Sequence, residues 1–103
     1  MIYELNLEVR ADIVEDFRAC LDFLILKVLS APGFLRATWF ELEGETSAEQ
    51  TNFVVHYHVD SCRDLNAFLK ECAEKERADG LEKFGDRYKA RRRILKPLKL
   101  YGG

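Results

Sequence analysis

The chain lacks a long apolar run, an excess of either charge, and enough cysteine to staple a fold; each shortage removes a class of protein. Its longest uninterrupted apolar stretch is Phe23 to Leu26, far below the roughly 20 residues of a membrane-spanning helix. No membrane helix is expected. Sixteen Lys and Arg stand against eighteen Asp and Glu, a net charge of -2, so no global positive field draws the molecule to nucleic acid or anionic lipid. Any basic site must be local. Three cysteines, Cys20, Cys62 and Cys72, cannot all pair within one chain, and none belongs to a CxxC element. A disulfide framework is not expected; Cys20 and Cys72 fall on or beside helical stripes, where cysteine acts as a small hydrophobe. The opening MIYELNLEVR carries Glu4 and Glu8 where a secretory signal would have a basic end and an apolar run, so the expected location is cytoplasmic.

What is present suits one folded domain over residues 1–103, with 48% hydrophobic and 33% charged residues in a chain too short for two domains. Ile2 to Val9 alternates, with Tyr3, Leu5, Leu7 and Val9 on one side and Glu4, Asn6 and Glu8 on the other, the pattern of a half-buried strand. Asp12 followed by Glu15 has the form of a capping box and predicts a helix over about Asp12 to Ser30. Its apolar arc is Ile13, Val14, Phe17, Leu21, Leu24, Ile25 and Val28, and Pro32-Gly33 ends the pattern. Phe34 to Glu43 and Asn52 to Asp60 read as a strand hairpin around the polar stretch Gly44 to Gln50. Ser61 and Asp64 predict the start of a second helix with Leu65, Phe68, Leu69 and Cys72 as its stripe. Asp79-Gly80 interrupts that stripe before Leu81 and Phe84, and Gly85 predicts a left-handed stop. Arg87 to Leu95 reads as the last strand.

Strand, helix, strand, strand, helix, strand is the split βαβ order of α+β ferredoxin-like folds with an antiparallel sheet. Two helices cover one face of such a sheet, so the other face is wet, bound to a ligand, or paired. On the third strand Phe53, Val55, Tyr57 and Val59 are the better core set, which leaves Val54, His56, His58 and Asp60 with Glu4, Asn6 and Glu8 on the open face. Alternation does not assign the faces of the second and fourth strands, around Trp39-Phe40 and Arg91-Arg92.

The segment ERADGLEKFGDRYKARRRIL, the opening MIYELNLEV and the PGF before the second strand resemble a family of short uncharacterised bacterial proteins in the dimeric α/β barrel superfamily. The most specific piece is Phe84-Gly85-Asp86-Arg87-Tyr88 followed by Arg92, and the resemblance runs from Met1 to about Leu95. It implies a ferredoxin-like protomer whose open face packs on a second copy, a homodimer with a lumen. The superfamily includes cofactor-free monooxygenases of the antibiotic-biosynthesis kind, haem-degrading and dye-decolourising enzymes, and small regulatory domains. The resemblance carries over no catalytic residue.

Candidate chemistry centres on His56 and His58, the two histidines of the chain, two apart and therefore on one face. They are the candidate catalytic bases, with Glu4, Trp39 and Arg92 as candidate ligand-binding residues. A metal pair of the HxHxDH kind would need a histidine where Ser61 stands, so no metal and no cofactor are expected; hydrogen-bonded lumen histidines are the competing reading. The basic end, Lys89, Arg91, Arg92, Arg93, Lys96 and Lys99, suggests an anion contact. Consecutive strand arginines point to alternate faces, however, and edge charge also guards against aggregation. Ile2-Tyr3-Glu4-Leu5-Asn6-Leu7 is similar to the first-strand motif of RNA-recognition domains, but that register would drive Glu4 into the core, and TNFVVHYHV lacks the glycine their third strand needs. The sequence therefore points to a small homodimer that binds a small molecule or regulates, with a cofactor-free oxygenase or isomerase working in the lumen as the alternative and RNA binding third.

Overall fold

The computed structural model describes residues 1–44, 48–71, 75 and 82–102. Among the described residues the main elements run in the order β1 (Ile2–Arg10), α1 (Val14–Val28), β2 (Phe34–Glu41), β3 (Gln50–Val59), α2 (Cys62–Glu71) and β4 (Tyr88–Leu95). The strands form one sheet in the order β2-β3-β1-β4 with every neighbouring pair antiparallel. This is the ferredoxin-like α+β fold that the order of elements predicts.

Alternation along β1 and β3 decides which face the helices cover. Tyr3, Leu5, Leu7 and Val9 of β1 and Phe53, Val55, Tyr57 and Val59 of β3 are all buried in one core with Phe17 and Leu21 of α1 and Leu65 and Phe68 of α2. Aromatic rings knit the layers: Tyr3 stacks on Tyr57 with centroids 5.8 Å apart, and Phe68 meets the edge of Tyr3 at 5.9 Å and tilts onto Phe34 at 4.9 Å. Each such pair adds about 0.5–1.5 kcal/mol beyond the area it buries.

Local signals set the helix ends unequally. Ser61 Oγ accepts the backbone N–H of Asp64 at 3.1 Å and donates to Asp64 Oδ2 at 2.9 Å, so α2 begins with the expected cap. The capping box at Asp12 does not form. A 3-10 turn over Ala11–Ile13 precedes α1, no side chain caps it, and Asp12 instead pairs with Arg10 at 3.7 Å. The turn shifts the helix start two residues beyond Asp12, and α1 ends at Val28 rather than Ser30. Gly33 adopts φ +82 and its space is filled: a Cβ there would lie 2.3 Å from Asp64 Oδ2. That close approach locks the β2 entry against the α2 start. Gly85 takes φ +62, as a left-handed stop requires, after residues 82–84 form helix and Phe84 enters the core against Phe17 at 5.1 Å. Cys72, the expected break at Asp79-Gly80 and Leu81 lie outside the described residues, as do residues 45–47 of the hairpin loop.

Candidate functional site

The pairing registers settle the two strands that alternation leaves open. In β2, Phe34 pairs with Val59 but Arg36 pairs with His58, so one extra residue, Leu35, is accommodated as a bulge. Past the bulge, Ala37 and Trp39 fall on the helix side, and Arg36, Thr38 and Phe40 on the open side with Val54, His56 and His58. In β4, Leu5 pairs with Arg92 whereas Glu4 pairs with Arg93 and Asn6 with Arg91. Arg92 thus lies with the helix-side set.

At the middle of the open face sits Glu4, 5% exposed although no helix of the described residues covers it. Its Oε1 accepts from Asn6 Nδ2 at 2.8 Å and from Arg93 Nε and Nη2 at 2.7 and 2.5 Å, while Oε2 meets His56 Nε2 at 2.7 Å. A buried carboxylate without partners is costly, and these short, charge-assisted bonds offset that cost. The Asn6 amide, with Arg93 and His56, holds the Glu4 carboxyl down at about 2 against the opposing effect of burial. An ionised carboxylate has no proton to give, so His56 Nε2 carries the hydrogen, and in the neutral ring Nδ1 is left with the lone pair. The edge of the His56 ring rests against Phe40, with centroids 5.3 Å apart.

His58, one pleat further along, pairs with Ile2 and Arg36. Burial pushes its pKa below the ordinary imidazole value, and Arg36, His56 and the N-terminal ammonium act in the same direction. The two histidines therefore share a face but sit in different fields: His56 beside an anion, His58 among cations.

Of the candidates from sequence, the structure brings Glu4, His56 and His58 together and sends two others elsewhere. Trp39 packs edge-on against Phe53 at 5.5 Å beneath the sheet, and cannot touch the histidines from there. Arg92 lines a groove of about 200 Å³ between α1 and the sheet, with Phe17, Leu21 and Tyr88. The bulge at Leu35 and the pairing of β4 with β1 are the physical reasons for these placements. Glu8 lies across from Asn52 and Lys89, roughly 13 Å along β1 from Glu4. Asp60 is exposed beyond the end of β3, its amide donating to the Gly33 carbonyl at 2.8 Å. Sequence reasoning missed Arg93, Asn6, Phe40 and Arg36 as members of the site. A signal for Arg93 existed: a strand with one consistent core set, Tyr88 and Ala90, puts odd-numbered arginines on the open side. Among the described residues, no group of three or more His, Cys, Asp or Glu is placed to hold a metal ion.

A four-stranded antiparallel sheet with α1 and α2 on one face and a polar cluster on the other defines a protein of the ferredoxin-like fold. One solved structure, a "putative antibiotic biosynthesis monooxygenase" from Deinococcus radiodurans, is similar over 100% of both chains with a TM-score of 0.68 at 14% identity. No curated protein matches the chain. The chain belongs to the family described as "Domain of unknown function (DUF4286)", whose pattern matches residues 1–98.

Proposed function

We propose that the protein is a homodimer joined through its open sheet faces, and that the enclosed space binds a small molecule on the cluster of Glu4, His56 and Arg93. One observation carries this: an ionised carboxylate, 5% exposed, is fixed in the middle of a sheet face that no helix of the described residues covers. A face meant only for water has no need of a charge tied down by three side chains, whereas a recognition site needs its polar groups held in place beforehand. Phe40, 44% exposed on the same face, supplies apolar area for a partner, worth about 25 cal/mol per Å² removed from water. Sedimentation at micromolar concentration tests the reading, which expects a mass near twice 12.0 kDa; a clean monomer overturns it. The similarity to the Deinococcus radiodurans protein supports the fold of each protomer.

A second reading is favoured by the bond from His56 Nε2 to Glu4 Oε2 at 2.7 Å. A carboxylate that orients an imidazole and steadies its positive charge makes the other ring nitrogen a competent base. His56 Nδ1 would take a proton from an activated aromatic substrate, and an arginine would hold the resulting anion. Return of the proton at another carbon is isomerisation; capture of the anion by molecular oxygen is cofactor-free oxygenation. Uptake of solvent deuterium into activated phenols, lost in His56→Gln, tests this, and equal exchange with and without the histidine rejects it. The RNA-binding reading loses its platform, because Tyr3 and Tyr57 lie beneath the helices at 4% and 1% exposure, where no base can stack.

A further inference from the structure

The open face differs in charge from the molecule as a whole. Although the chain is net negative, five cations, Arg10, Arg36, Lys89, Arg91 and Arg93, project from this face against Glu4 and Glu8. Arg93 is committed to Glu4 and Arg10 to Asp12. Among the described residues, Arg36, Lys89 and Arg91 make no ion pair within 4.0 Å, although Lys89 stands across from Glu8. Arg91 and Lys89 border a hollow of about 360 Å³ on this face, with the amides of Asn6 and Asn52 and the carboxylate of Glu8 on its other sides. The Asn6 amide already donates to Glu4 and the Arg91 carbonyl, so the two cations at the rim of the hollow are the donors that an oxyanion would select.

A face-to-face dimer of this sheet is isologous, so this cation-rich face meets its own copy. Charges on exposed strands repel over about 10 Å at 0.1 M ionic strength, and like charges set opposite one another oppose association. An anion in the hollow removes that opposition and adds hydrogen bonds. We propose that this face takes a small oxyanion, a phosphate or a carboxylate, in the hollow beside Lys89 and Arg91, and that the bound anion allows two copies of the face to close on each other. The proposal rests on the face-to-face dimer and names both its ligand class and its control.

Sedimentation velocity in sodium phosphate, sodium citrate and sodium chloride at matched ionic strength tests it. The dimer dissociation constant is expected to fall roughly tenfold in phosphate or citrate relative to chloride, and the oxyanion that acts at the lower concentration separates phosphate from carboxylate. Lys89→Gln with Arg91→Gln should dimerise in chloride about as tightly as the wild type does in phosphate, and phosphate should tighten it no further. Arg36→Gln, outside the hollow, should strengthen the dimer in chloride and keep the phosphate response. Circular dichroism checks that each variant is folded. A dimer of equal strength in all three salts overturns the anion proposal and leaves the dimer standing. A monomer under every condition overturns the dimer itself and the anion's role with it.

Discussion

Glu4 and His56 face each other across β1 and β3 with Oε2 and Nε2 2.7 Å apart, and Arg93 reaches the other carboxylate oxygen from β4. Three strands thus converge on one ionised carboxyl held at about 2, below its ordinary 4.5, first by the Asn6 amide and then by Arg93 and His56. Because the folded value is the lower one, the unfolded chain binds more protons between pH 4.5 and 2. The stabilisation is therefore complete above about pH 4.5 and is lost as pH falls toward 2. Its size is on the order of 2 kcal/mol, reduced by the half-solvated Arg93. Urea midpoints should fall more steeply with acid in the wild type than in Glu4→Gln. Parallel curves would show that Glu4 is not ionised by its partners.

His58 stands among cations, with Arg36 its partner across the β2–β3 pair. Its pKa lies below the ordinary value first because of burial and then because of Arg36. Arg36→Gln should raise it, read from the imidazole proton shifts on titration. The sign also predicts that folding is opposed as pH falls through 6.5, since the unfolded imidazole takes the proton more readily. An unchanged titration in Arg36→Gln would place the guanidinium elsewhere.

Replacing His56 and His58 together by Gln should leave a folded protein, because both rings lie on the open face and neither belongs to the core cluster. Ligand capture or the pH dependence of dimerisation should change instead. Loss of the cooperative melting transition in the double variant would mean that the imidazoles hold the sheet together.

Leu35 is 60% exposed, yet it is the extra residue that lets Phe34 and Trp39, five apart, share the helix side of an alternating strand. Deleting it should push Phe34 toward the open face and lose about 2–3 kcal/mol of burial. Leu35→Ser, which keeps the bulge, should stay within about 0.5 kcal/mol of the wild type. Chemical denaturation separates the two, and equal losses would reject the bulge as the determinant.

Gly33 and Gly85 both take positive φ but differ in surroundings: a Cβ at Gly33 would overlap the Asp64 side chain, while at Gly85 nothing among the described residues lies within 4 Å. Gly85→Ala should therefore lose only the conformational term of about 1 kcal/mol, with Gly85→Val losing more. Gly33→Ala should lose at least twice as much as Gly85→Ala, since Asp64 must also leave Ser61. Thermal melts rank the variants, and a reversed order would refute the close approach.

Strand parity was enough to put Glu4, His56 and His58 on one face, because β1 and β3 are central, their core sides are apolar except for Thr51 near the start of β3, and a period of two has only two answers. The order of elements and the Ser61 cap were legible for the same reason: each is a local pattern with a local cause. Helix α1 was legible but its two ends were each two residues out, at the start because Asp12 had a nearby Arg10 as a competing partner. Trp39 and Arg92 belonged to strands at the two edges of the sheet, each with one neighbouring strand to fix its register and with apolar or basic residues at consecutive positions. Hydrogen-bond pairing decided those faces: a bulge at Leu35 turned Trp39 under the helices, and alignment of β4 with β1 delivered Arg93, not Arg92, to Glu4. A bulge leaves no mark in hydrophobic periodicity except to spoil it, and which of three adjacent arginines meets a carboxylate on another strand is set by pairing between residues 89 positions apart. Alternation within a strand is written in the sequence; register between strands exists only once the chain has folded.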